Sequence, residues 1–140
     1  MLTIAVDFDG TIVKHKYPEI GEEIPFAIDT LKRLQAEGEC RLILWSSRTG
    51  DLLQEAVDFC KSRGLEFYAV NKENPEDEDM PQHKVVADVY IDDRNLGGLP
   101  DWGMIYSVIR GWITPVYEDS RTAENKKSFL GRLASLFSNN

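Results

Sequence analysis

The chain has 140 residues and a formal net charge of −8, and 42% of its residues are hydrophobic. A chain of this length fits one domain and buries enough surface to fold without a disulfide framework or a structural metal. The acidic balance disfavours an extended nucleic-acid surface, which needs clustered cations, but a few local cations suffice for a small phosphorylated substrate.

The sequence lacks the features of a secreted or membrane protein. Its first residues, MLTIAVDFDG, carry acids where a signal peptide is apolar, and no apolar run reaches the roughly 20 residues that a membrane span needs. Cys40 and Cys60 form neither a disulfide framework nor a metal-type spacing. We therefore expect a cytoplasmic protein with reduced thiols and no membrane partner.

Short apolar runs alternate with amphipathic ones along most of the chain. Leu2–Val6 is apolar and rich in β-formers, which predicts a first strand, and residues 25–37 have apolar side chains at helical spacing. A second strand is predicted at 41–45, a second helix at 51–63 and a third strand at 66–70.

The later elements are predicted in the same way. Residues 85–91 contain a fourth strand, a third helix begins near Pro100, and residues 112–117 read as a late or edge strand that Pro115 interrupts. The tail has apolar residues spaced for an amphipathic helix at about 123–138.

Strands that alternate with helices imply right-handed crossovers and a mainly parallel sheet, so the predicted fold class is α/β, with residues 1–140 as a single domain. Two polar connections interrupt the alternation. Residues 14–24 are expected to form a flap beside the site, and residues 71–82 a solvated acidic loop.

Ligands of parallel α/β sheets bind outside the carboxyl ends of the strands. Polar residues follow three of the predicted strands: Asp7 and Asp9 after the first, Ser46, Ser47 and Arg48 after the second, and Asp92 and Asp93 after the fourth. These side chains are therefore expected at one edge of the sheet.

Asp7 and Asp9 are the most informative pair, because two carboxylates at the end of a buried strand are costly unless a cation accompanies them. A hard divalent ion such as Mg²⁺ suits carboxylate and carbonyl oxygens. Gly10 and Thr11 follow in a turn where backbone N–H groups can approach an anion, so they are candidate substrate contacts.

Other residues supply the groups that phosphate chemistry needs. Ser46 can donate a hydrogen bond to a phosphoryl oxygen, with Ser47 and Arg48 as further substrate contacts. Lys84 is a candidate for neutralising the phosphate, and Lys72 competes for the same role. At the end of the fourth strand, Asp92 would complete a carboxylate cage, and Asp93 would bind water or orient Lys84.

The order DFDGT, then Ser46 after a strand, then Lys84, then YIDD resembles the four-motif signature of the haloacid dehalogenase superfamily over about residues 1–100. The run HKVVADVYIDDR is similar to the corresponding stretch in the 5′(3′)-deoxyribonucleotidase branch. The resemblance implies a Rossmann-like three-layer sandwich. Neither interval that holds a cap in larger members is long enough for one, so the chain looks capless.

The resemblance also implies a reaction. Asp7 would attack phosphorus to give an aspartyl-phosphate, and Asp9 would act as general acid and then general base. Mg²⁺ would be held by Asp7, the backbone carbonyl of Asp9 and Asp92, with Asp93 beside it. Ser46, Lys84 and the N–H groups after Asp7 would stabilise the transferring phosphoryl group. The expected function is a magnesium-dependent phosphomonoester hydrolase.

Alternatives stay open at this point. A phosphotransferase would use the same nucleophile, and a non-catalytic binding domain would keep the fold. A phospho-acceptor receiver fits poorly, because its acceptor aspartate lies on a later strand. A sugar phosphate, a nucleotide and a phosphorylated glycan precursor all suit the motifs. An open site favours a bulky substrate or closure by a second subunit, and the apolar tail is a candidate for that homo-oligomer contact or for docking onto its own core.

Overall fold

The computed structural model describes residues 1–80, 83–113, 131–134 and 136. They include four strands and three long helices, in the order β1 (Leu2–Val6), α1 (Ala27–Ala36), β2 (Cys40–Leu44), α2 (Gly50–Ser62), β3 (Ala69–Val70), β4 (Val89–Ile91) and α3 (Trp102–Ile113). The chain divides into two compact units, residues 1–109 and 110–140. Residues 131–134 and 136 of the second unit are helical.

The four strands form one sheet in the order β3-β2-β1-β4, and every pairing is parallel. β1 lies in the middle, where Ile4 pairs with Leu42 on one side and with Val89 on the other. The predicted parallel α/β class is thereby confirmed. Within the described ranges, no helix has the length and apolar character to cross a membrane.

The core follows from continuous apolar runs, as expected for strands that are covered on both faces. Ile4, Val6 and Leu42 have no exposed surface. Helix α1 buries Leu31 and Leu34 on one side, which matches the helical spacing of its apolar residues. A rigid sheet with β1 at its centre therefore carries the DFDGT segment.

The predicted strands and helices occur in the expected order up to α3, with a shorter β3 than predicted, and the order differs near the C-terminus. A strand was predicted at 112–117, but Trp112 and Ile113 belong to α3. The reason is helical periodicity: Trp102, Ile105 and Ile109 are buried on one face of α3 and extend the helix past the point where a strand was expected. Residues 114–117 lie outside the described part of the chain, as does most of the predicted tail helix at 123–138.

The flap, residues 14–24, is closed at its base. Val13 and Glu23 form an antiparallel bridge. Next to it, the Lys14 N–H donates to the Glu22 carbonyl at 2.8 Å and the Ile24 N–H to the Ile12 carbonyl at 2.8 Å. These bonds fix the two ends of the flap beside the carboxyl end of β1.

Candidate active site

The parallel register brings the polar segments after β1, β2 and β4 to one edge. Beyond the strand ends, the Asp7 N–H donates to the Ile91 carbonyl at 3.0 Å, and the Trp45 N–H to the Val6 carbonyl at 2.9 Å. A cavity of about 260 Å³ opens at this edge, lined by Asp7, Asp9, His15, Trp45, Ser46, Ser47, Asp92 and Arg94.

Three carboxylates meet in this cavity. Asp7, Asp92 and Asp93 each offer an oxygen within 4.8 Å of the other two, so they could hold a metal ion. Burial, together with the nearby charge of Asp92, raises the pKa of Asp7 to about 7. Among the described residues, Asp9 is not part of this carboxylate group, and a contact of its backbone carbonyl with the ion stays a prediction.

Thr11 connects the ends of β1 and β4. Its hydroxyl lies 3.2 Å from an oxygen of Asp7 and accepts a hydrogen bond from the Asp93 N–H at 3.1 Å. The indole N–H of Trp102 donates to the Thr11 carbonyl at 3.2 Å. Thr11 has no exposed surface, so the expected substrate contact is corrected: this side chain positions the carboxylates.

Gly10 makes room for a second contact across the site. It has a φ of 86°, and a Cβ there would overlap the His15 ring and the Asp93 carboxylate, which are joined by a hydrogen bond of 2.7 Å. The Gly10 N–H donates to the Val13 carbonyl at 2.7 Å, and the Thr11 N–H to the Phe8 carbonyl at 3.2 Å. The expectation that these N–H groups face an anion is therefore corrected, because the turn itself uses them.

Asp93 has a different partner from the one expected. The sequence suggested Lys84, whereas the structure pairs Asp93 with His15. Burial alone would raise the pKa of Asp93, but its hydrogen bonds with His15 and Asp7 outweigh burial and lower that pKa below its ordinary value. Asp93 therefore keeps its negative charge beside Asp7.

Asp9 is paired with Arg48. The guanidinium Nε and Nη2 donate to the two oxygens of Asp9, each at 2.7 Å. These hydrogen bonds raise the pKa of Arg48. Because the Arg48 side chain is fully buried, its predicted contact with a phosphoryl oxygen is corrected to a contact with Asp9.

Ser46 presents its hydroxyl to the cavity from a loop that Asn71 holds. The Asn71 side chain accepts from the Ser46 N–H at 2.8 Å and donates to the Ser46 carbonyl at 3.0 Å. The Ser46 Oγ accepts from the Arg48 N–H at 3.1 Å, which leaves the hydroxyl proton for another acceptor. Ser47 is exposed and lines the same cavity, and its contact with substrate stays a prediction.

The two candidate lysines lie in different surroundings. Lys72 donates to the Asp77 carbonyl at 3.2 Å and pairs with Asp79 at 3.3 Å, both in the acidic loop. The Lys84 ammonium lies 5.2 Å from the centre of the Tyr90 ring. Within the described residues, no hydrogen bond or ion pair joins Lys84 to Asp7. Lys84 instead lines a second cavity of about 670 Å³, which shares Ser46 with the first.

Comparison with known proteins gives one informative similarity. No protein-family model and no curated protein matches the chain. A solved structure, described as that of a conserved protein coded by a locus of Bacteroides thetaiotaomicron, is 59% identical over 84% of this chain and 98% of that one, with a TM-score of 0.74. The chain belongs to the same family as this Bacteroides protein. The similarity extends over nearly the whole length of the Bacteroides protein. It assigns no activity to the present chain.

Sequence reasoning missed two residues that shape the site in this family member. Asn71 has a φ of 54°, a left-handed conformation that Asn adopts more readily than most non-glycine residues. An Asn directly after a predicted strand therefore favours a left-handed turn at this position. Trp102 begins α3 and is 2% exposed. Its bond to Thr11 joins positions far apart in sequence, and no local pattern indicates it.

Proposed function

We propose that this protein is a magnesium-dependent phosphomonoester hydrolase of the haloacid dehalogenase type, in which Asp7 becomes phosphorylated during turnover. The observation that carries the proposal is the position of Asp7. It ends the central strand, lines the cavity, and has carboxylate oxygens of Asp92 and Asp93 within 4.8 Å. The resemblance of the four motifs supplies the reaction that such an arrangement can perform.

The donor set suits Mg²⁺. Three clustered carboxylate oxygens form the hard, negatively charged environment that this ion prefers, and Asp7 holds a proton up to about pH 7 without an ion. When bound, the ion neutralises negative charge on the carboxylates and on the phosphate, which allows an anionic nucleophile to approach an anionic substrate.

In the proposed reaction, Asp7, Asp9 and Ser46 have different roles in two successive steps. An oxygen of Asp7 attacks phosphorus as the bond to the leaving oxygen breaks, and Asp9 gives that oxygen a proton. In the second step Asp9 takes a proton from water, which attacks phosphorus and releases Asp7. The Ser46 hydroxyl, with its oxygen already accepting from the Arg48 N–H, donates to a phosphoryl oxygen.

Lys84 is the lysine that we assign to the phosphate. Lys84 lines a cavity that includes Ser46 and Ser47, whereas the ammonium of Lys72 is already bonded within the acidic loop. A compact positive charge at this cavity would offset charge on the transferring group. Lys84→Ala is therefore expected to lower turnover more than Lys72→Ala.

We also propose that the fold is a Rossmann-like three-layer sandwich without a cap domain. The parallel sheet and its helices support a Rossmann-like three-layer sandwich, and the short flap supports a member without a cap domain.

Burial raises the pKa of the Cys60 thiol to about 12, so this cysteine does not compete with Asp7 as a nucleophile at neutral pH. Both cysteines are free thiols, in keeping with a cytoplasmic enzyme.

Phosphate release from a panel of phosphomonoesters tests the proposal. The purified protein is assayed with Mg²⁺ and with a chelator, beside Asp7→Asn and the control Asp58→Asn, which changes an exposed residue of helix α2. We expect release that requires Mg²⁺, is lost in Asp7→Asn and is retained in Asp58→Asn. Release that persists in Asp7→Asn would exclude Asp7 as the nucleophile, and the ranking of the panel would indicate the substrate class.

A further inference from the structure

Arg48 is a charged residue with no exposed side-chain surface. Burying a charge is costly unless other groups satisfy it, and fully buried arginines are almost always paired. Arg48 is held from several directions, so its partners indicate why a cation is placed in this position.

The guanidinium contacts Asp9 and the flap, and its Nη1 also donates to the Leu52 carbonyl of α2 at 3.5 Å. On one side, two of its nitrogens donate to the two carboxylate oxygens of Asp9. On the other side, Nη1 donates to the Pro18 carbonyl at 3.0 Å and Nη2 to the Glu19 carbonyl at 2.8 Å, both in the flap. Since Nη2 bonds both Asp9 and Glu19, movement of either partner disturbs the other.

Aromatic rings further restrict the guanidinium. The ring centre of Phe8 lies 5.3 Å from its central carbon, and that of Tyr17 in the flap lies 5.2 Å from it. Phe8 is fully buried, whereas Tyr17 is 60% exposed. The cation is therefore fixed on the side of β1 and covered by a flap residue that solvent reaches.

We propose that Arg48 is a positioning residue that couples the acid–base carboxyl of Asp9 to the flap. This inference rests on the proposed function of Asp9. Asp9 lines the cavity and keeps 14% of its side chain exposed, so Arg48 holds it at the cavity wall without covering it. An ammonium cannot reproduce the fork that holds both oxygens of a carboxylate in one orientation.

The coupling has a consequence for substrate entry. A flap that moves away from the cavity withdraws the Pro18 and Glu19 carbonyls from Arg48, and the guanidinium then loses the contacts that fix its orientation toward Asp9. A flap in place restores them. The position of the flap therefore affects how the Asp9 carboxylate is held at the cavity wall.

Hydrogen exchange of the substrate-free protein tests the coupling directly. The amides of Lys14 and Ile24, which close the base of the flap, are compared with amides of β2 in the wild type, Arg48→Lys and Asp9→Asn. The control is Arg63→Lys, an exposed arginine bonded to the Phe59 carbonyl. We expect faster exchange at the two flap amides in Arg48→Lys and in Asp9→Asn, with no change in β2 or in the control.

Unchanged flap exchange in Asp9→Asn would overturn the coupling. Asp9→Asn keeps the shape of the side chain and tests the coupling from the opposite side, so the question is decided even if Arg48→Lys fails to fold. Faster exchange throughout the molecule would mean that Arg48 stabilises the fold in general, and it would also overturn the coupling.

Turnover separates positioning from folding. p-Nitrophenyl phosphate has a good leaving group that needs little help from an acid, whereas a simple alkyl phosphate needs a proton on its leaving oxygen. We expect Arg48→Lys to lower kcat at least about tenfold more for the alkyl phosphate, as Asp9→Asn does, and the double variant to lose no more than Asp9→Asn alone. Equal losses on both compounds, or a change in KM alone, would overturn the positioning role.

The two proposals can fail separately. A wild-type protein that releases phosphate from neither compound nor from any other phosphomonoester of the panel would refute the phosphatase, and with it the acid–base role of Asp9. The physical link between Asp9 and the flap would then be tested by the hydrogen-exchange result alone.

Discussion

Asp7 lies where three carboxylates meet, and its burial has a measurable consequence. Its pKa rises from 3.8 to about 7 in the folded protein without a cation. The folded state therefore keeps a proton that the unfolded chain releases, and stability falls as pH rises from about 4 to about 7. Asp93, whose pKa is lowered, acts in the opposite sense and below this range.

Asp7→Asn should remove that pH dependence. In chelator, the free energy of unfolding of the wild type is expected to decline between pH 5 and pH 8, by about 1–3 kcal/mol, since one pKa unit corresponds to about 1.4 kcal/mol. The variant should decline less and exceed the wild type at pH 8. Urea unfolding at both pH values measures this, and parallel curves for the two proteins would contradict the raised pKa.

Magnesium affinity should depend on pH for the same reason. An ion held by Asp7 must displace its proton, so binding is expected to tighten as pH rises from 5 to 7 and to level off above the pKa of about 7. Isothermal titration calorimetry across this range provides the test. Affinity that does not vary with pH would mean that Asp7 is not a ligand.

Asp9→Asn should separate chemistry from metal binding. The Asp9 side chain bonds to Arg48 and lies outside the carboxylate cluster, so magnesium affinity should stay within about twofold of the wild type. Turnover should fall by about 10²–10⁴-fold, as for loss of a general acid–base. Calorimetry and phosphate release on the same sample measure both, and a large loss of affinity would place the side chain in the metal site.

At the scale of elements, the loop after β2 depends on the residue after β3. Asn71 has a φ of 54° and bonds both backbone groups of Ser46. Asn71→Gly keeps the backbone conformation and loses the side-chain bonds, whereas Asn71→Ala also imposes a left-handed conformation that costs roughly 1–2 kcal/mol. The matched pair separates the two effects.

We expect both Asn71 variants to lower kcat, because Ser46 loses its support, and only Asn71→Ala to lose a further 1–2 kcal/mol or so of stability. Thermal unfolding and phosphate release measure the two quantities. Normal turnover in both variants would show that the Ser46 loop holds its shape without Asn71.

The elements themselves were largely predictable. β1 was predicted at the residues where it occurs, and β2 was displaced by one residue, because continuous apolar runs bounded by polar residues define buried strands. β3 is only Ala69–Val70, shorter than predicted. Among the described strands β3 pairs only with β2, so its length also depends on how far the pairing with β2 extends.

At the scale of the whole molecule, the sequence could predict which strand ends would meet but not how their side chains would pair. Parallel strands end at one edge, so the proximity of Asp7 to Asp92 and Asp93 followed from the topology. The bond between Arg48 and Asp9 depends on the path of the flap, which brings backbone carbonyls to the guanidinium. No local pattern specifies that path.

In the turn after β1, too, the sequence did not predict how the side chains would pair. Glycine in DFDGT suggested an approach to an anion, yet the structure uses the space at Gly10 for the bond between His15 and Asp93. Two segments distant in sequence meet there. Gly10→Ala is expected to break this contact, because the Cβ would occupy its position and the φ of 86° is unfavourable for alanine.

Detection of the phosphorylated residue tests the central claim most directly. The protein is mixed with a phosphomonoester and Mg²⁺, quenched in acid during turnover and reduced with borohydride, which marks an acyl phosphate for peptide mass spectrometry. We predict the mark at Asp7, dependent on Mg²⁺ and absent without substrate. Turnover with the mark on another residue, or with none in samples quenched at every stage of the reaction, would contradict an aspartyl-phosphate on Asp7.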